Sequence, residues 1–148
     1  MKKARVVTKV QIAAKPAEVF VYLEDLQYHH LWNPHLSKIT PIMQLTTGNA
    51  YRTTSLVLGV KVRSKIEVKV VEPPKQLQLE NKSGPLQYCL TYKLKSNEGG
   101  TLLQCTTLVS TESRAFAFAK PLLTELARRE LHTDLAALKN AVEHQLAP

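Results

Sequence analysis

Glu130 and Asp134 stand one helical turn apart in the stretch LLTELARRELHTDLAALKNAVE. Counted at about 100° per residue, Asp134 falls near the middle of that stretch's apolar face and Glu130 on its edge. A carboxylate held against apolar surroundings has its pKa raised, which is how a general acid or base is prepared, whereas a nearby arginine would lower it again. The alternative is a helix that turns or curves enough for both carboxylates to reach solvent, paired with Arg128 or Arg129. Tyr88 and Tyr92 offer further proton-bearing groups. They share one side of a strand with Leu86, Leu90 and Leu94, where their hydroxyls could orient a polar group or simply be satisfied in a core.

His29, His30 and His35 fall within seven residues beside Trp32, and imidazole is a common metal ligand and proton shuttle. No cysteine is near them, and adjacent histidines in a helix point about 100° apart. No metal site or other cofactor is therefore expected, and the segment reads as a solvated loop at an entrance. Tyr51 and Arg52 open a strand after Gly48, and one of them must point inward if that strand is half buried. An inward Arg52 would bind a carboxylate or phosphate head group. The alternation leaves the inner face undecided, because Leu56 and Leu58 side with Arg52 while Val57 sides with Tyr51.

Other chemistries find no support. There is no phosphate loop, nucleophile elbow or dinucleotide fingerprint, and no Ser-His-Asp arrangement. The 148 residues carry 20 Lys+Arg against 12 Asp+Glu, a formal charge of +8. Lys61, Arg63, Lys65 and Lys69 line one side of a strand, yet stacking aromatics and recognition motifs are missing, so no nucleic-acid partner is expected. Peripheral contact with an anionic membrane is the better functional reading of that stripe, and a merely solvated sheet face is the plain one. Cys89 and Cys105 lie in apolar stretches outside any CxxC pattern, and Arg5 and Lys9 interrupt the apolar start before a signal sequence can form. A reducing cytoplasm is the expected setting.

The elements that must position these groups emerge from periodicity. Val6, Val10 and Ile12 alternate with Arg5, Lys9 and Gln11, a strand with one buried face. AAKPAEVFVYLEDL changes to helical spacing with Pro16 in the first turn, and a second helical turn or structured loop ends near Asn33. From Ile39 to Ser110 about six strands are expected, punctuated by TTGN, Gly59, EPPK, KSGP and NEGG. The clearest alternation sets Val60, Val62, Ser64, Ile66, Val68 and Val70 inward. Ser113 can cap the final helical stretch, and Pro121 can bend or restart it. Phe116, Leu123, Leu126, Ala127, Leu131, Leu135, Leu138 and Val142 then share one face of a long amphipathic helix. At 44% apolar residues and without repeats or linkers, one domain spanning residues 1–148 is expected. Its class is α+β, with about seven antiparallel strands and a long C-terminal helix.

This order is joined by local text: KPAEVFVYLEDLQYHHLWNP, then VEPPKQLQLE, the GGT of residues 99 to 101, and ARRELHTDLAALKNAVE. Together they resemble the polyketide cyclase/dehydrase and lipid-transport family of the START/Bet v 1-like (SRPBCC) superfamily. The resemblance implies a helix-grip fold, in which a curved sheet wraps the C-terminal helix and leaves an apolar cavity between them. It also implies that the W-N-P segment lies near the entrance, so that Trp32 could close over a ligand. The expected ligand contacts are Trp32, Arg52, Tyr88, Tyr92, Phe116, Leu123, Leu126 and Leu131. Residues 28 to 35 are expected to be the mobile lid, met by residues 116 to 121 from the other side.

The reading that leads is a carrier of a small hydrophobic molecule such as a lipid, an isoprenoid or a polyketide-like ring compound. Its rival is a cyclase, aromatase or dehydratase that moves protons with Asp134, Glu130 or a tyrosine. A role as a protein-binding partner stays open as a third, to be marked by an exposed apolar patch of roughly several hundred Å².

Overall fold

The computed structural model describes residues 2–57, 59–111 and 120–146. Along the chain run β1 (Lys2–Ile12), α1 (Pro16–Glu24), a 3₁₀ helix (Leu26–Leu31), β2 (Leu36–Thr40), β3 (Ala50–Val57), β4 (Val60–Glu72), β5 (Gln76–Asn81), β6 (Gln87–Asn97), β7 (Gly100–Thr111) and α2 (Lys120–Glu143). The strands form one curved antiparallel sheet in the order β1-β7-β6-β5-β4-β3-β2. Consecutive hairpins build β2 to β7, and β1 pairs with β7, so the first and second strands are the two edges.

The turns sit where the glycine and proline signals place them. Between β6 and β7, Glu98 and Gly99 both take positive φ, 51° and 79°, inside the closing pair Asn97↔Gly100. That is the two-residue geometry whose twist matches a right-handed hairpin. Gly100 answers a different need. A Cβ built there would run into the Ile12 carbonyl oxygen at the end of β1. The same corner is tied by Gln11 Nε2 donating to the Asn97 carbonyl at 2.8 Å, Asn97 Nδ2 donating to Gln11 Oε1 at 2.9 Å, and Thr101 Oγ1 donating to the Ala14 carbonyl at 2.6 Å.

One correction concerns β4. Val62, Ser64, Ile66 and Val68 are buried as the alternation requires, but the register shifts between Val68 and Val70. The bulge reverses the parity, so Val71, opposite Leu77, takes the core-packed position expected of Val70.

Helix α2 lies on the inner face of the sheet. Leu131, Leu135, Leu138, Ala141 and Val142 are buried among Val6, Ile12, Tyr92, Leu94, Leu103 and Cys105. Each fully buried leucine contributes roughly 1.5 to 3 kcal/mol relative to exposure. The far end of the helix is also clamped by polar contacts. Lys139 Nζ donates to the Gln11 carbonyl at 2.7 Å and to Glu143 Oε2 at 2.7 Å, and that same carboxylate accepts the Ala13 amide at 2.8 Å. Among the described residues no helix is long and apolar enough to cross a membrane.

Candidate functional site

The first half of α2 stands off the sheet, and a cavity of about 140 Å³ opens beneath it. That is close to the ~150 Å³ of an engineered void that accepts a benzene ring. Strand alternation supplies the floor: Tyr51, Thr53 and Ser55 from β3, Val62, Ser64 and Ile66 from β4, Tyr88, Leu90 and Tyr92 from β6, Thr107 and Val109 from β7. Helical spacing supplies the roof, with Leu123, Leu126, Ala127, Glu130, Leu131 and Asp134 turned toward the sheet. His29, Trp32 and His35 close one side.

Two polar groupings run across the floor. Ser64 and Thr53, paired across β3 and β4, hydrogen-bond the Tyr88 phenol. The Tyr92 hydroxyl donates to the Cys105 sulfur opposite it on β7, and the Thr107 hydroxyl beside them is buried without a hydrogen-bond partner. Burial raises the pKa of all three tyrosines and pushes the Cys105 thiol up to about 12, so these groups keep their protons at neutral pH.

Above these groups are the two carboxyls. Asp134 is 8% exposed and Glu130 half-buried. Desolvation raises Asp134 to about 8, with the Glu130 charge adding to the rise, and raises Glu130 to about 7. Each acts on one tyrosine below: Glu130 raises the Tyr88 pKa further, and Asp134 that of Tyr92. His35 stands between them, Nε2 at 3.8 Å from Glu130 Oε2 and Nδ1 at 3.6 Å from Asp134 Oδ1. Burial lowers the His35 pKa, which favours neutral imidazole. Asp134 Oδ1 accepts no hydrogen bond. Arg128 and Arg129, the expected alternative partners, reach Glu125 instead, at 2.8 and 3.3 Å. The site thus holds two carboxyl groups that titrate near neutrality, a neutral imidazole, and phenols: a set able to give or take a proton from a molecule in the cavity. Among the described residues no three His, Cys, Asp or Glu side chains converge closely enough to hold a metal ion.

Several expectations are corrected. Arg52 is exposed on the outer face, because Tyr51 and Thr53 take the inward positions of β3, so no arginine from this strand reaches the cavity. The three histidines are not a solvated cluster. His29 is buried, its Nε2 donates to the Leu23 carbonyl at 2.8 Å, and burial lowers its pKa to about 4. His30 is exposed, and His35 alone meets the carboxylates. The segment from Tyr28 to His35, expected as a lid, is packed and hydrogen-bonded against the cavity in this structure. Trp32 is 1% exposed, its Nε1 donates to the Tyr22 carbonyl at 2.9 Å, and its ring stands edge-on to Tyr92 at 6.0 Å. The His29 carbonyl accepts the amides of Trp32 and Asn33. These bonds hold the segment as a wall.

Trp32, Tyr88, Tyr92, Leu123, Leu126 and Leu131 all border the cavity. Phe116, Ser113 and most of the stretch expected to meet the lid lie outside the described residues. Sequence reasoning named His35 only as part of the histidine cluster and did not join it to Glu130 and Asp134, 95 and 99 positions later, because no spacing connects them. It also passed over Thr53, Ser64 and Thr107, although Ser64 stood as a polar residue on the inward side of the clearest alternation.

The comparisons with known proteins agree with this architecture. The chain matches the family described as polyketide cyclase/dehydrase and lipid transport over residues 3–143. A Thermus thermophilus protein, TTHA0849, superposes with a TM-score of 0.81 at 18% identity, covering 98% of this chain and 99% of that one. A START superfamily protein from Mycobacterium smegmatis gives 0.78 at 20% identity, covering 97% and 99%. DynU16, described as a putative protein in the dynemicin biosynthetic locus, gives 0.66 at 20% identity, covering 97% of this chain and 48% of that one. No curated protein matches the sequence. At these identities the structures speak for the fold, and the match over nearly the whole chain speaks for the family: the protein belongs to the polyketide cyclase/dehydrase and lipid-transport family.

Proposed function

We propose that the protein binds a small, largely apolar molecule between α2 and the sheet. The observation that carries this reading is the cavity itself. Aliphatic and aromatic side chains make up much of its wall, hydroxyls are spread across its floor, and its ionisable carboxyl groups, Glu130 and Asp134, stand together on one side, a pattern that encloses a hydrophobic body and orients one polar end. Its size suits a single ring or one end of a longer molecule. Native mass spectrometry of the gently purified protein, with extraction of the bound species, tests it. A stoichiometric small molecule is expected, displaced by substituting Leu126 with Trp to fill the cavity. Binding unaffected by that substitution would place the ligand elsewhere and refute the reading.

A second reading, proton transfer of the cyclase or dehydratase kind, is favoured by the carboxyl groups standing over Tyr88 and Tyr92 with pKa values raised to about 7 and 8. A base of that strength beside an apolar pocket removes a proton next to a carbonyl, and the conjugate acid returns it. Deuterium exchange into the α-positions of cyclohexanone, followed by proton NMR, tests this directly. Catalysed exchange lost in Asp134→Asn supports it, and exchange no faster than in buffer counts against it.

A further inference from the structure

The polar end of the cavity carries an uneven charge. Glu130 and Asp134, one turn apart on α2, both face the sheet, and among the described residues no lysine or arginine lines the space with them. The nearby cations are engaged or turned away: Arg128 and Arg129 on Glu125, Arg52 on the outer face. His35 faces both carboxyl groups at 3.6 and 3.8 Å, beyond hydrogen-bond distance for either. Asp134 Oδ1 is left buried and without a hydrogen bond. An incoming carboxylate or phosphate would meet two acidic groups and no countercharge. An ammonium would meet two acceptors in surroundings where a charge pair is poorly screened.

The rest of the lining points the same way. Trp32, Tyr51, Tyr88 and Tyr92 border the same space, with the Trp32 and Tyr92 rings nearly perpendicular at 83°. Aromatic faces around carboxylates attract an organic cation through the ring quadrupole as well as through charge. The remaining volume, about 140 Å³, leaves room for a body of ring size.

We infer that the ligand is a small amine, a protonated nitrogen on a ring-sized apolar body, with the nitrogen held by Asp134 and Glu130 against the aromatic wall. This rests on the ligand-binding reading and specifies its polar end. Binding would draw Asp134 into its ionised form, so its proton leaves to solvent as the cation arrives, and the net charge in the cavity stays near zero.

Three probes of one size separate the inference from the reading beneath it: benzylamine, benzyl alcohol and benzoate, titrated calorimetrically into the full chain near neutral pH. Benzylamine is expected to bind about tenfold tighter than benzyl alcohol or more, and benzoate not to compete, in keeping with a desolvated cation–π and charge contribution. The benzylamine heat should depend on the buffer's ionisation enthalpy, reporting the released proton. Asp134→Asn and Glu130→Gln, each checked for a single cooperative unfolding transition and a far-UV spectrum like the parent's, should reduce the benzylamine preference. If benzyl alcohol or benzoate binds as tightly as benzylamine, or if neither variant reduces the preference, the amine assignment is overturned while the cavity stands as a ligand site. If none of the three binds, the ligand-binding reading falls and the amine with it.

Discussion

Replacing Asp134 by Asn should make the protein more stable at neutral pH and relatively less so in acid. The folded protein keeps the Asp134 proton up to about pH 8, whereas the unfolded chain releases it near the ordinary 3.8. Between those values unfolding gives up a proton, so the Asp134 contribution to stability is present in acid and is lost as the pH rises. At about 1.4 kcal/mol per unit, the roughly 3 units of proton release between pH 4 and 7.5, after partial ionisation at both ends of the range, amount to about 4 kcal/mol. Asn has no such slope, but its amide, also buried with few partners, costs about 1 to 3 kcal/mol at every pH. The variant is therefore expected to be no more stable than the parent near pH 4 and more stable by a few kcal/mol near pH 7.5. Urea unfolding of both proteins across that range provides the assay. His29, lowered to about 4 by burial, works in the opposite direction below its ordinary 6.5, but it titrates in both proteins and drops out of their difference. A difference that stays flat from pH 4 to 7.5, or that grows in favour of the parent as the pH rises, would refute desolvation as the force acting on Asp134.

Gly100→Ala should lower stability by about 2 to 3 kcal/mol, because the end of β1 must move away from the new methyl group; the thermal midpoint measures it. Leu138→Ala, at a fully buried position beneath α2, should cost about 2 to 5 kcal/mol, while Leu126→Ala at the half-buried cavity roof should cost clearly less, about 1 kcal/mol, in the same denaturation assay. Trp32 is the single tryptophan, so the protein's emission should be blue-shifted and resist iodide quenching. Trp32→Phe leaves the Tyr22 carbonyl without its indole donor and should cost about 1 to 3 kcal/mol. Emission at the wavelength of solvated indole would contradict the packing of that wall.

Most of the fold was legible because burial on one side of a strand or helix imposes a period that composition preserves. Val62, Ser64, Ile66 and Val68 mark the inner face of β4, and Leu131, Leu135 and Leu138 mark that of α2, as the alternation and the helical spacing require. The period becomes ambiguous where an apolar residue is left in water. Leu56 is 56% exposed on the same face as Arg52, which is why the two faces of β3 could not be told apart until the neighbouring strands were in place. A bulge such as that after Val68 leaves no compositional trace, since Val70 and Val71 are identical in type. The site was half legible for a related reason. Asp134 and Glu130 announced themselves as acids on an apolar face, but His35 reaches them only through the path of the chain after Pro34, and that path is a property of tertiary packing.

The clamp at the end of α2 has a mechanical consequence. Lys139 and Glu143 bolt the last turns of the helix to the end of β1, and Leu135, Leu138 and Ala141 behind them are sealed from water. Toward the other end the described residues are covered more thinly: Leu123 packs on Val57, Val62, Leu86 and Val109, but Leu122 is half exposed and Leu126 and Ala127 only partly covered. The helix is thus held by more contacts at its C-terminal root than over the cavity. A small tilt of the thinly packed half about that root would make room for a larger guest with the β1–α2 packing left intact. Volume gained in that way would leave the core closed, and amide exchange should be slow near the root and faster over the cavity.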